Sequence, residues 1–401
     1  MKKILSLVAL LATQSYTNDI TIVKQKSENF LLGKETHINM KFKAQDNPDM
    51  WLKAGVRIQG TFENVATTKG GVTSNLQDAY LRRVRFEVAA GFSKTSSFVM
   101  DVRNDKANKA DKGEGKFNVG DAYVKIKNPF NTSLVNFKLY RAKIDISRTE
   151  TVKSARVIVY DRPHVADYAA QFITENRRGT NAQMYGNWKK KIHYQFAIGD
   201  ATATEKSKDA TGKSLDGSIG DQNFFYGGKI RFSPFDGWEE TSRTETYFAK
   251  GKHFSIGASY WNASKIAYIV DGKTEQTDHT LLNYEISAHY KNAFIQAEYF
   301  DFDGVSQKWG TDTFGQSTGW YVTGEYVVPE LDYIAPFFRY ESWDKFSDEK
   351  GYTLNSKLVG INWYLRGNTT KAGLIYQKDT YSNNVGNKEV ESLRLTTQWF
   401  F

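Results

Sequence analysis

The chain has 401 residues with no cysteine, 6 prolines and 31 glycines, a formal net charge of +9, and 9 Trp, 23 Tyr and 26 Phe. The missing cysteine excludes a disulfide scaffold and any thiolate metal site, and the composition excludes collagen-like and low-complexity chains. So many aromatics also exclude a disordered chain, although the mean hydropathy is only −0.56.

Residues 1–15 read MKKILSLVALLATQS. Lys2 and Lys3 precede a short apolar stretch over 4–12, broken by Ser6. This predicts a secretory signal segment over 1–15 with a blurred cleavage site, since the stretch is too short to span a bilayer. A buried helix start is the other reading. Residues 16–50 are less informative. Met40 and Phe42 alternate with Lys41 and Lys43, which fits one further strand, but an even strand count assigns 16–50 to a periplasmic extension.

From residue 51 onward the pattern is alternation with period two. Val56, Ile58 and Phe62 face one way, and Arg57, Gln59 and Glu63 the other; Leu393, Leu395 and Trp399 oppose Arg394, Thr396 and Gln398. One apolar and one polar face is the signature of a strand. Sixteen segments show it: 51–63, 76–91, 93–104, 116–127, 133–143, 178–188, 190–201, 222–233, 252–263, 279–291, 293–302, 317–328, 334–343, 355–366, 369–379 and 389–401. Most exceed the five or six residues typical of soluble strands and match the roughly 9–11 that a tilted strand needs to cross a bilayer.

The connections alternate short and long. The short ones include 291–292 and 366–368; the long ones are 64–75, 105–115, 144–177, 202–221, 264–278 and 303–316. One connection, 234–251, is long where a short turn belongs. Aromatics such as Trp51, Phe92, Trp188, Phe232, Tyr290 and Trp399 sit near segment ends, as interfacial girdles require. These signs predict an all-β protein: a transmembrane antiparallel β-barrel of 16 strands over 51–401, with short periplasmic turns and long extracellular loops, in the bacterial outer membrane.

Three segments resemble a known family. The runs Leu52-Lys53-Ala54-Gly55-Val56-Arg57-Ile58-Gln59-Gly60, Asp78-Ala79-Tyr80-Leu81-Arg82-Arg83-Val84-Arg85-Phe86 and Asp121-Ala122-Tyr123-Val124, the last followed by Pro129 and Phe137-Lys138, are similar to strands of the phosphate-selective porin O and P family. The terminal Trp399-Phe400-Phe401 also resembles the closing strand of outer-membrane barrels. The resemblance implies a sixteen-stranded, homotrimeric anion channel whose third extracellular loop folds inward. The family's Gly-Lys-Phe pattern before that loop reads Asn136-Phe137-Lys138 here, so its fine specificity does not simply transfer.

Facing follows from cost, because Arg or Lys toward mid-membrane lipid costs roughly 2–4 kcal/mol. With Val84, Phe86 and Val88 outward, Arg83 and Arg85 point inward, and only a bulge at Arg82-Arg83 turns Arg82 inward too. The expected pore-lining set is Arg57, Arg82, Arg83, Arg85, Arg103, Lys125 and Lys138 with Asp101 and Asp121, beside Lys53, Lys127, Glu63, Asp78 and Glu87. Cations about 7 Å apart repel by roughly 2 kcal/mol at an effective dielectric of about 20. The arginines therefore await an anion or a nearby carboxylate, and Arg forks suit phosphate or carboxylate. Glu285, Glu298, Glu325 and Glu341 also read as inward, against Arg339, so an acidic wall would face the basic one and set up a transverse field.

Loop 144–177 carries Arg148, Arg156 and Arg162 beside apolar 157–160, Val165, Tyr168, Ala169, Phe172 and Ile173. A loop left in water needs no such residues, so it reads as the constriction, with a lid or a trimer contact as the other placements. None of the six histidines sits in a metal-binding or nucleophile motif. No enzyme, no cofactor, no metal and no nucleic-acid partner is expected. The reading is an outer-membrane porin passing small hydrophilic solutes, with preference for anions and phosphate as one candidate; a non-selective general porin and an adhesin or structural barrel with a plugged lumen are the alternatives.

Overall fold

A computed structural model describes residues 31–32, 40–43, 47, 49–110, 112–174, 177–201, 223–235, 243–270, 273–306, 314–348, 352–382 and 387–400. The expected signal segment, the long connection 202–221 and Phe401 lie outside the described residues. A short strand β1 (Met40–Lys43) precedes sixteen barrel strands: β2 (Trp51–Lys69), β3 (Val72–Gly91), β4 (Ser96–Ala107), β5 (Asn118–Ile126), β6 (Asn136–Arg141), β7 (Thr180–Trp188), β8 (Ile192–Asp200), β9 (Phe224–Phe232), β10 (Lys252–Val270), β11 (Lys273–Tyr290), β12 (Ala293–Ser306), β13 (Phe314–Tyr326), β14 (Ile334–Asp344), β15 (Thr353–Asn368), β16 (Thr370–Tyr381) and β17 (Lys388–Phe400).

Each barrel strand pairs antiparallel with the next, and β17 returns to β2 with Leu395 opposite Phe62 and Trp399 opposite Ile58. Closure satisfies the backbone hydrogen bonds that lipid cannot. All sixteen segments read from alternation are barrel strands. β1 is an addition to them. The last described pair of β17 with β2 is Phe400 with Arg57, and Met40–Lys43 pairs with residues 51–54 beyond it. This pairing covers that edge of β2 and leaves the barrel count even.

Two expected long loops are corrected. Residues 64–69 and 72–75 continue β2 and β3 to a two-residue turn at Gly70-Gly71, and β10 and β11 likewise extend through most of 264–278. Both glycines have positive φ, 57° and 80°, as a tight hairpin turn requires. Beyond the lipid both strand faces are wet, so alternation disappears while the strand persists.

The outer surface exposes Phe62, Phe86, Phe196, Ile230, Leu374 and Leu395, with Trp188, Phe232, Tyr290, Tyr326 and Trp399 near the short-turn end. The inside is not uniformly polar. Loop residues enter it with two helices, α1 (Arg148–Thr151) and α2 (His164–Phe172). Val165, Ala166, Ala169, Phe172 and Ile173 pack on inward-facing Trp261, Leu281, Phe300, Phe302 and Tyr321. A Cβ at Gly319 would stand 2.8 Å from the Val165 side chain, so that glycine admits the helix. Ile158 and Val159 pack farther along on Phe294, Phe337, Leu358 and Ile375.

Candidate functional site: the lumen

The expected bulge is present. Gln59 pairs with Arg83 while Gly60 pairs with Leu81, leaving Arg82 as the extra residue opposite β2. Both arginines thereby turn inward, where Arg82 Nε donates to Asp161 Oδ1 at 2.8 Å and Arg83 donates to the Tyr160 carbonyl and to Gln59 Oε1 at 2.9 Å each.

The arginine cluster does not await an anion. Arg57 donates to Ser154 Oγ at 2.6 Å and pairs with Glu87. Arg85 reaches Ser154 Oγ and Asp105, each at 3.2 Å. Arg103 pairs with Asp101, and Asp121 with Arg178. Carboxylates and loop oxygens supply the charge balance, and Arg57 and Arg83 lie buried beneath the loop. Of the expected basic lining of the first five barrel strands, Lys125, Lys127 and Lys138 border open space; the Lys125 and Lys138 ammonium groups lie over the Tyr185 ring, at 5.5 and 5.2 Å from its centroid.

The three loop arginines also divide. Arg148 is buried on the far wall, donating to Gln296 Oε1 at 2.6 Å and the Thr244 carbonyl at 2.8 Å. Arg162 donates to the Thr149 carbonyl at 2.9 Å and lies beside Glu150. Arg156 alone of the three borders the cavity. Burial works against the Glu150 carboxylate, and Lys143, Arg162 and Arg177 outweigh it, holding it well below its usual range. Arg82, Arg394 and Arg83 do the same for Asp161.

The expected transverse field is corrected as well. Glu285, Glu298, Glu325 and Glu341 do point inward, but all four are buried. Glu298 accepts from the Thr149 backbone N–H at 2.9 Å and from the Tyr321 hydroxyl at 2.5 Å. Glu341 accepts from the backbone N–H groups of His164 and Val165 at 2.9 and 2.6 Å, at the start of α2 where the helix dipole favours an anion. Glu285 takes Lys229 at 2.5 Å, and Glu325 takes Thr246 and Tyr364. Glu298 and Glu341 thus hold the loop, Glu325 holds Thr246 and Glu285 holds Lys229, and all four are shut away from water.

The odd connection 234–251 explains its length. The connection leaves from the short-turn end, and in its described stretch 243–251 Thr244, Glu245, Thr246, Tyr247 and Phe248 are buried in the lumen. Arg243 pairs with Asp145 at 2.7 Å. Sequence reasoning missed this insertion, although the misplaced length marked the place.

Among the described residues a cavity of about 540 Å³ lies open toward the short-turn end. Lys125, Lys127 and Lys138 line it from the wall, Lys143, Lys153 and Arg156 from the loop, and Lys229, Arg231 and Arg243 from β9 and the inserted connection; Asp145 is its one acidic residue. Lys229, Arg231 and Arg243 were not foreseen, and the inward parity of β9 was the signal for the first two.

No family model matches the chain. An uncharacterized protein of Aquifex aeolicus (strain VF5) is 24% identical over 400 residues, covering 93% of each chain. Among solved structures, Salmonella typhi OmpF in complex with daunomycin superposes with a TM-score of 0.57 at 12% identity, over 90% of this chain and 100% of that one. The anion-selective porin from Comamonas acidovorans gives 0.55 at 11% identity, over 87% and 99%. The outer-membrane channel DcaP of Acinetobacter baumannii gives 0.57 at 11%, over 90% and 99%. The fold is that of the bacterial outer-membrane porins. A closed sixteen-stranded barrel with a lipid-facing outside places the chain in a bacterial outer membrane.

Proposed function

We propose that the chain is a passive diffusion channel for small hydrophilic solutes with preference for anions, working as a homotrimer. The carrying observation is the unequal fate of its lumen charges: the later strands' glutamates are buried away from the cavity, while nine basic residues and one acid border it, Lys229 and Arg231 among the nine being buried themselves. Clefts lined by one sign of charge concentrate counter-ions of the other sign. Likeness to an anion-selective porin is in keeping with this. Phosphate is one candidate solute, since Lys and Arg both bind phosphate oxygens.

The test is the reversal potential of the purified protein in a planar bilayer under a salt gradient. Anion preference is the expected sign, and cation preference overturns it. Graded anions, phosphate included, then rank the solutes. A second reading, a closed structural barrel, draws on the two segments buried inside the lumen; a barrel without conductance would decide for it.

A further inference from the structure

We propose that Glu245, carried into the lumen by the connection between β9 and β10, is a positioning residue that latches the inward loop over the acidic wall and so sets pore size and anion preference. This rests on the channel reading above.

The latch grips the loop at separated points. The Ile158 backbone N–H donates to Glu245 Oε2 at 2.7 Å, and Thr149 Oγ1 donates to Oε1 at 3.4 Å. The Glu245 backbone N–H donates to the Arg156 carbonyl at 3.0 Å. Its neighbours extend the hold in both directions. The Thr244 carbonyl and the Tyr247 hydroxyl accept from Arg148 at 2.8 and 3.0 Å, and the Thr246 hydroxyl bonds to Glu325 at 2.5 Å and to Tyr364 at 2.7 Å.

The two segments enter from opposite ends of the barrel. The loop joins β6 to β7 at the long-loop end, and the insertion joins β9 to β10 at the short-turn end. Strand register therefore does not fix their mutual position, and contacts between them must. Glu245 is fully buried, and its carboxylate joins the insertion to the loop backbone at Ile158. Behind the pair lie Glu298 and Glu325, each hydrogen-bonded to one of the two segments. A loosened latch opens space and returns those carboxylates to the aqueous lining.

This gives a sign that simple charge counting does not. Removing an acid from a lumen should raise anion preference if the acid acts through its own charge. Removing Glu245 should lower it, because buried carboxylates join the pore.

The experiment compares full-length wild type with Glu245→Ala and Glu245→Gln in planar bilayers under a potassium chloride gradient. For Glu245→Ala, conductance is expected to rise and the anion-to-cation permeability ratio to fall about two-fold or more as carboxylates enter the lining. Glu245→Gln keeps an acceptor for Ile158 and is expected to stay near wild type. A ratio that rises, or conductance that does not change, overturns the latch. Should the alanine variant not fold, Thr246→Val is read instead, with the same signs expected and the same failures counting against it. Amide exchange at Ile158 gives a readout that needs no current: faster exchange in Glu245→Ala supports the latch and unchanged exchange overturns it. A wild type without conductance strikes the channel reading alone.

Discussion

Glu298 and Lys125 both sit on barrel strands and both point into the lumen, yet one is sealed beneath the inward loop and the other borders an open cavity. On β11–β14 the carboxylates meet backbone N–H groups, hydroxyls and one buried lysine, and their surroundings are the apolar side chains that the loop packs against. On β5 and β6 the lysines meet tyrosine faces and open space. A buried charge is tolerable when hydrogen bonds replace its water. Loop backbone provides such donors on one side only. Inward charges on a barrel thus divide into those that hold the lining in place and those that form it, and only the second kind should govern ion choice.

The largest expected contrast is in stability. Lys229→Met leaves Glu285 and Asp145 without the ammonium that now stands 2.5 and 3.0 Å away, and breaking a buried pair costs about 3–5 kcal/mol. Lys125→Met is expected to change stability by less than about 0.5 kcal/mol. Thermal unfolding of the two variants, followed by barrel mobility on gels, should separate widely, and equal losses would break the comparison.

Glu341→Ala comes next. It takes the acceptor from two backbone N–H groups at the start of α2, an end effect worth about 1–2 kcal/mol. Amide exchange at His164 and Val165 should quicken with it. Unchanged exchange would show that apolar packing alone holds the helix.

The cavity side is sharpened by the pair Lys125→Glu and Lys138→Glu. Reversal potentials should move toward cations while the unfolding transition stays in place. A shift in stability with no shift in selectivity would reverse the assigned roles.

The smallest effect is on pH. Burial alone would lower the His164 imidazole, but its hydrogen bond to Asp379 and the Glu341 carboxylate raise it above its usual 6.5, with Lys345 opposing. The Nε2 to Oδ2 distance is 3.2 Å, with the histidine side chain 36% exposed. A raised folded value means the tether is fully present below about 6.5 and is lost as the pH rises through the raised value. Amide exchange in α2 should therefore quicken over that window, and His164→Gln should flatten the response. A response that persists in the variant would place the titrating group elsewhere.

Much of the barrel was legible because a lipid-facing surface enforces a rule on every second residue. Val84, Phe86 and Val88 fixed the facing of β3, and the cost of an arginine in lipid then required the bulge at Arg82, which the register contains. The hairpin tips at 64–75 were illegible for the complementary reason: above the membrane no solvent difference distinguishes the two faces, so the strand leaves no alternation. The lumen was legible only in part. Glu285 and Lys125 share a simple inward parity, and nothing local says which will be covered.

The sequence by itself determined the class of fold, the number of barrel strands and the inward direction of the charged residues, because each follows from a local preference repeated along the chain. The tertiary structure alone decided which charges remain in water. That outcome depends on where the loop over 144–177 and the insertion at 243–248 come to rest, and their positions are set by contacts such as Thr149 with Glu298 and Ile158 with Glu245. These join residues far apart in the chain, and no periodicity encodes such pairings.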